Sequence, residues 1–218
     1  MPEMEEDPVT VMGLKFPNRV GLAAGMDKEA NTIAACSRGG FGFIEVGTRT
    51  PRPQTGNERP RVFRLIEHEA VINRMGFNNH GIEAGVRNVA ETLSHKSIVG
   101  VNIGKNKVTP NENAAQDYLA CLKAAWPVAD YIAVNLSSPN TPGLRALQEA
   151  DSAAALLSSL KCEQENLSRE TGRHVPIALK VAPDLTDEEI ASLSQVFLGC
   201  GLEGLIATNT TLSREAVK

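Results

Sequence analysis

Aromatic side chains are scarce: one Trp, two Tyr and six Phe make 4% of the 218 residues. Aliphatic side chains must therefore build the interior. Basic charge is not in excess either. Twenty-two Lys and Arg stand against 26 Asp and Glu, a formal net charge of −4, which removes the electrostatic case for nucleic acid as a partner. No apolar run approaches the ~18 residues that a membrane-spanning helix needs. The opening MPEMEEDP is acidic and reads as neither a signal peptide nor a transit peptide. The four cysteines (Cys36, Cys121, Cys162, Cys200) are far apart, with no CxxC pair. Each falls in or at the end of a helix-like segment, so buried or half-buried reduced thiols are expected rather than disulfides or metal ligands. His68, His80, His95 and His174 lie in loops or helix flanks, which leaves a Ser-His-Asp triad without a candidate. No His/Asp/Glu/Cys cluster has metal spacing, so no metal site is expected, and neither GxGxxG nor a Walker A motif occurs.

What is present is an ordinary globular composition, 42% hydrophobic and 22% charged with 18 Gly and 12 Pro, long enough for one sizeable core. Val9–Met12 and Leu14–Pro17 read as a small hairpin around Gly13. Residues 1–19 are taken as an N-terminal tail and hairpin, and 20–218 as the main domain. Val20–Gly25 is a short apolar strand. A helix follows from about Asn31 to Arg38, closed by Gly39-Gly40. Phe43–Val46 is a strand ending at Gly47-Thr48.

From Arg49 to Asn79 the regular pattern breaks into a stretch rich in Pro, Arg and Gly. Within it Val62–Leu65 and Ala70–Asn73 can pair as a hairpin. Such an excursion in a compact fold is functional or disordered, and its turn residues and alternating apolar pairs favour order. Regularity then returns: a helix over Ile82–Leu93, a strand over Ile98–Ile103, and a helix capped by Asn111 or Asn113 that runs to Trp126. Next come the strand Tyr131–Val134, a helix over Ala150–Arg169 and a strand over Pro176–Val181. Thr186 and Glu189 form a capping-box pattern at the head of a helix that ends near Gly199, and Gly204–Thr208 is the last strand.

Helices that alternate with short apolar strands specify an α/β fold with a parallel sheet, either an open doubly wound sheet or a (β/α)8 TIM barrel. Strand ends separate the two. Each finishes in a group of the binding type: Gly25 and Lys28, Gly47 and Thr48, Asn102, Asn135, Lys180, and Thr208 with Asn209. In an open sheet one switch point binds the ligand. In a barrel all strand ends converge on one mouth, so the pattern favours the barrel. About six of its eight strands are read here, so the chain is expected to be a partial barrel.

Tyr131–Arg145, YIAVNLSSPNTPGLR, is the most pointed stretch. A buried strand turns abruptly into Asn135, Ser137, Ser138, Asn140 and Thr141, with Pro139, Pro142 and Gly143 fixing the turn. Such polar groups on an ordered loop are costly unless they bind something or bond to the backbone. A mouth of amides, hydroxyls and two lysines suits a planar, polar, partly anionic ligand, because amides both donate and accept. Lys180, embedded in a strand, is expensive to bury without a negative partner, which a flavin made anionic by reduction would supply.

Seven motifs in order carry a family resemblance: AAGMDK (Ala23–Lys28), EVGTRTPRPQTGNERPRVFRL (Glu45–Leu65), INRMGFNNHG (Ile72–Gly81), VNIGKNK (Val101–Lys107), NLSSPNTPGLR (Asn135–Arg145), LKVAPDL (Leu179–Leu185) and IATNTT (Ile206–Thr211). The chain resembles the quinone-dependent, class 2 dihydroorotate dehydrogenases over Val11–Ser213. The resemblance implies an FMN-binding barrel that oxidises dihydroorotate to orotate in pyrimidine biosynthesis, with FMN as hydride acceptor and a quinone as final acceptor. It implies Ser138 as the base that removes the C5 proton, with a proton relay through Thr141 or a water. A class 1 relative or a dihydropyrimidine dehydrogenase domain is expected to carry Cys at that position. A further alternative is a partial barrel that binds or assembles without chemistry.

By the same resemblance Ala24, Gly25, Lys28, Thr48, Asn102, Asn135, Lys180 and Thr208 hold FMN. Lys28, Asn73, Arg74, Met75, Gly76, Phe77, Asn135, Asn140, Asn209 and Thr210 hold or wall the substrate. Class 2 enzymes also hold the FMN phosphate on glycine-rich turns of the last two strands, and dock on the inner membrane through an N-terminal helical pair. Neither is read in this sequence. The polypeptide alone is therefore expected to be soluble, to bind FMN weakly and to expose sheet edges.

Overall fold

The computed structural model describes residues 7–92 and 97–217. Its centre is a six-stranded sheet: β3 (Gly21–Leu22), β4 (Phe43–Arg49), β7 (Ile98–Ile103), β8 (Tyr131–Asn135), β9 (Ile177–Val181) and β10 (Gly204–Ala207). Neighbours in this sheet are neighbours in sequence order, and every pairing is parallel. A doubly wound sheet reverses its order at a switch point. This one never does, so it is an arc of a (β/α)8 barrel, with β3 and β10 as its two edges.

The helices between strands are α1 (Ile33–Arg38), α2 (Ile82–Glu91), α3 (Ala114–Ala125), α4 (Ala150–Thr171) and α5 (Asp187–Cys200). The apolar strand runs hide a period of two. Ile44, Val46, Val99, Val101, Ile103, Ile132, Val134, Ile177 and Leu179 join Leu122, Leu156, Leu157 and Leu160 of the helices in one buried cluster. The alternate residues form the concave face. Register aligns Glu45 with Gly100 and Tyr131 in one row, Gly47 with Asn102, Ala133, Ala178 and Gly204 in the next, and Asn135 with Lys180 above them. The four central strands, β4, β7, β8 and β9, are buried on both faces, but the two faces differ: aliphatic toward the helices, small and polar toward the barrel axis.

The short hairpin, β1 (Val9–Val11) and β2 (Leu14–Phe16), is antiparallel and lies beneath the concave face. The Phe16 ring meets Phe43 edge-on at 5.3 Å, and Met12 in its turn packs against Gly204 of β10. The excursion holds a second antiparallel hairpin, β5 (Val62–Leu65) with β6 (Ala70–Asn73), in the register Val62 opposite Asn73.

Several boundaries differ from those read in the sequence. The first strand pairs only over Gly21–Leu22, because Asp27 draws the chain into a turn: its carboxylate accepts from the backbone N–H groups of Asn31 and Thr32, just ahead of α1. Asn113 stands at the head of α3 without a side-chain capping bond, and Asn111 sits in a preceding 3₁₀ turn and donates to the Gly143 carbonyl instead. The capping box of Thr186 and Glu189 is present in full. Cys121 is buried and Cys36 and Cys200 are half-buried, but Cys162 is exposed on the outer side of α4. The predicted helix end at Leu93 lies outside the described residues, as does His95.

A polar cavity at the carboxyl ends of the strands

A cavity of about 320 Å³ opens where the strands end. Ala24, Gly25 and Lys28 line it from the turn after β3, and Thr48 from the end of β4. Asn73, Met75, Gly76 and Phe77 come from the segment after β6; Asn135, Ser138 and Asn140 from β8 and its loop; Lys180 from β9; Asn209 and Thr210 from the chain after β10. Fourteen of the residues singled out in the sequence are thus brought to one space.

Gly25 sits at φ +105°, and a Cβ there would meet nothing within 4 Å, so the backbone presents a bare face to the opening. Gly47, also at φ +105°, is required by contact: a Cβ would come within 2.5 Å of the Asn102 carbonyl. Without it β4 and β7 could not close to the distance at which Thr48 reaches Asn102.

The amides are held by one another. Thr48 Oγ1 donates to Asn102 Oδ1 at 2.5 Å and accepts from Asn135 Nδ2 at 3.0 Å. Asn135 Oδ1 in turn accepts from the backbone N–H and the hydroxyl of Ser137. Asn209 Nδ2 donates to Ser137 Oγ at 3.0 Å, which ties the end of β10 to the β8 loop. Asn140 Nδ2 donates to Asn73 Oδ1 at 3.1 Å, and Asn57 Nδ2 to the Asn140 carbonyl, which tie the excursion to the same loop. The bonds to Thr48, Asn209, Asn73 and Asn57 cross large sequence separations, while Asn135 with Ser137 and Ser138 with Asn140 close local turns, so the loop geometry is set by the arc and by local turns together. Ser138 is buried, and its Oγ accepts from the Asn140 N–H at 3.2 Å.

Charge is unevenly placed. Burial, and then the nearby Arg61 guanidinium, lower the Lys28 ammonium to about 8, against a smaller opposing pull from Glu29. Lys180 is 7% exposed and lies 3.7 Å from the carboxylate of Glu45, itself 4% exposed. Lys180 therefore has a protein counter-ion, which sequence reasoning did not supply. Glu45 was visible inside a motif but carried no role, because an acidic residue in a strand shows nothing about which inward neighbour it meets.

Four predicted residues lie off the cavity wall. Asn102 is fully buried beneath it and orients Thr48 and Asn135. Thr141 is 2% exposed, and its hydroxyl has no hydrogen-bond partner among the described residues. Arg74 points the other way: its guanidinium donates twice to the Pro60 carbonyl and lies 5.8 Å over the Phe63 ring. Alternation explains this, since Asn73 faces inward and the next side chain faces out. Thr208 is exposed and lines a second space on the concave face, which it shares with Glu45 and Lys180.

Sequence reading also missed Met26, Val62 and Val71 on the cavity wall. The two-residue period places Val71 with Asn73 and could have found it. Arg145 was missed as a brace. Its Nε donates to the Ser137 carbonyl at 3.0 Å, Nη1 to Asp184 at 2.9 Å, and Nη2 to the Thr210 carbonyl at 3.2 Å. Arg49, fully buried, likewise joins the Lys28 carbonyl, the Glu29 carboxylate and the Gly81 carbonyl.

Sequential parallel strands with a ligand-ready mouth at their carboxyl ends define the class: a β/α barrel of the kind that hosts enzymes at that face. Comparison narrows it. The sequence model of the dihydroorotate dehydrogenase family matches residues 8–218, and the chain belongs to that family. It is 70% identical over 218 residues to the dihydroorotate dehydrogenase (quinone) of Akkermansia muciniphila, covering 100% of this chain and 63% of that protein. It is 57% identical over 211 residues to the protein of the same name from Idiomarina loihiensis, covering 97% and 63%. Among solved structures it is similar to DHODH of Eimeria tenella in complex with ferulenol, with TM-score 0.91 and 42% identity over 97% of this chain and 62% of that one. The ligand-free form of that protein gives TM-score 0.90 and 41% identity, with 99% and 66% covered. The chain thus spans less than two thirds of the relatives it matches.

Proposed function

We propose that this chain forms the substrate-binding and flavin-binding part of a quinone-type dihydroorotate dehydrogenase, which oxidises dihydroorotate to orotate. The observation that carries the reading is the gathering of Lys28, Asn73, Asn135, Ser138, Asn140, Lys180 and Asn209 on one cavity from five separate segments. FMN fits the donor set: Gly25 leaves a bare backbone face, Thr48 and Asn135 offer polar groups, and Lys180 is a buried cation. Bound there, FMN supplies the two-electron acceptor.

The remaining roles belong to the chain's own side chains. Asn73, Asn140 and Asn209 present amides that match the donors and acceptors of a pyrimidine ring. Lys28 complements the substrate carboxylate. Phe77, buried, and Met75 wall the ring and exclude water. Ser138 Oγ takes the proton from the substrate carbon. Among the described residues no histidine lines the cavity to activate it and the Thr141 hydroxyl on the same loop has no partner, so its basicity depends on a dry, fixed position and on passing the proton on, with Thr141 as the acceptor for that transfer. Lys180 favours negative charge on the cofactor side of the cavity. The quinone in the relatives' names supports a quinone as the final acceptor of the full-length protein, and peripheral attachment to a membrane is part of the same reading.

The test is spectroscopic. Purified protein loaded with FMN should lose its flavin absorbance under anaerobic mixing with dihydroorotate. Dihydrouracil, which lacks the carboxylate, should bleach it far more slowly. Equal rates with the two would overturn the assignment of Lys28 and of the substrate.

A further inference from the structure

Beneath the cavity lies a buried carboxylate that the reaction outlined above does not use. Glu45 Oε2 accepts from the Tyr131 hydroxyl at 3.0 Å, and Oε1 accepts from Asn102 Nδ2 at 2.8 Å and faces Lys180 Nζ at 3.7 Å. All four side chains belong to the concave face, and all are buried. The arrangement is built for. Tyr131 reaches Glu45 across the strand between them because that strand carries Gly100 in the same row: a Cβ there would fall 2.1 Å from the tyrosine Cζ. Burial, and then the carboxylate itself, push the Tyr131 phenol well above its usual range, so it remains a donor.

A buried carboxylate is expensive, and an apolar side chain would fill the space at less cost. What Glu45 contacts gives the reason. Two of its partners, Lys180 and Asn102, are the groups that face or orient the cofactor side of the cavity. We propose that Glu45 is a positioning residue for the flavin, fixing Lys180 and Asn102 and cancelling part of the lysine's positive charge. The flavin then meets an ion pair, not a bare ammonium. The balance between oxidised and reduced cofactor is set by Glu45 together with Lys180. This inference rests on the flavin reading given above.

Glu45→Gln keeps the shape and the side-chain oxygen but removes the charge. It leaves Lys180 uncompensated, which favours the reduced, more negative cofactor. The ratio of affinities for reduced over oxidised FMN should rise about tenfold or more, read as a more positive midpoint potential, since a unit charge lost nearby in a partly dry site has that scale of effect. Tyr131→Phe should move the ratio the other way, because the carboxylate loses a donor and its negative charge is felt more strongly. It also reads the same network should Glu45→Gln fail to fold.

Affinities for both FMN states are obtained by fluorescence titration and spectroelectrochemistry, independently of turnover. A purely structural role would lower stability and leave the ratio within about twofold of wild type in the folded variants. That result would overturn the proposal. A wild-type protein that takes up no FMN would instead overturn the flavin reading itself.

Discussion

Lys28 shows how one side chain can carry a pH dependence. In the folded chain its ammonium loses a proton near pH 8, lowered by burial and by Arg61. The ordinary lysine value is 10.5. Between these the unfolded chain holds more protons, so the contribution of this site to stability rises with pH across that window. Binding runs in the opposite sense, because an anionic ligand needs the charged form. The KM for dihydroorotate is therefore expected to climb as pH passes about 8. Lys28→Arg, always charged, should flatten that limb. Steady-state KM measured from pH 6.5 to 9.5 checks this, and a flat wild-type profile would contradict it.

At the same scale, residue type marked most of the cavity but not its electrostatics. Amides and hydroxyls at strand ends stand out because they interrupt apolar runs. Glu45 does not, since the sequence shows neither the inward register nor the gap over Gly100 that brings Tyr131 to it. Arg74 was placed with its neighbour Asn73, although adjacent residues on a strand face opposite sides.

Elements were legible where their signals are local. The capping box at Thr186 and Glu189 needs only four consecutive residues, and it forms as expected. Thr186→Ala should cost about 1 kcal/mol in chemical denaturation. Because α5 lies on the outer layer, the variant should bind FMN like wild type. A loss of FMN affinity together with stability would mean that α5 couples to the cavity. The elements missed in detail were those governed by distant partners. Asn111 turns to the Gly143 carbonyl rather than capping α3, and β3 is cut short by the turn that Asp27 organises. Arg145, which ties three loops together, was invisible because its partners come from three segments.

For the whole molecule, strand order decided the architecture: a sheet without reversal can only curl in one sense around its axis. Among the described residues its edges, β3 and β10, have a strand partner on one side each, and Leu205 on β10 is 53% exposed. Edge strands of this kind template pairing with another chain. The 218-residue polypeptide prepared by itself should therefore self-associate as its concentration rises, with light-scattering mass increasing over the micromolar range. A constant monomer mass would show that the edges are covered in solution.

In the proposed reaction the loop after β8 performs proton abstraction within a cavity that the whole arc assembles. The most direct measurement is the rate of flavin bleaching by dihydroorotate in FMN-loaded Ser138→Ala protein. The rate should fall by roughly 10²–10⁴, while the affinity for FMN stays within a few-fold of wild type. Bleaching at the wild-type rate would contradict the account.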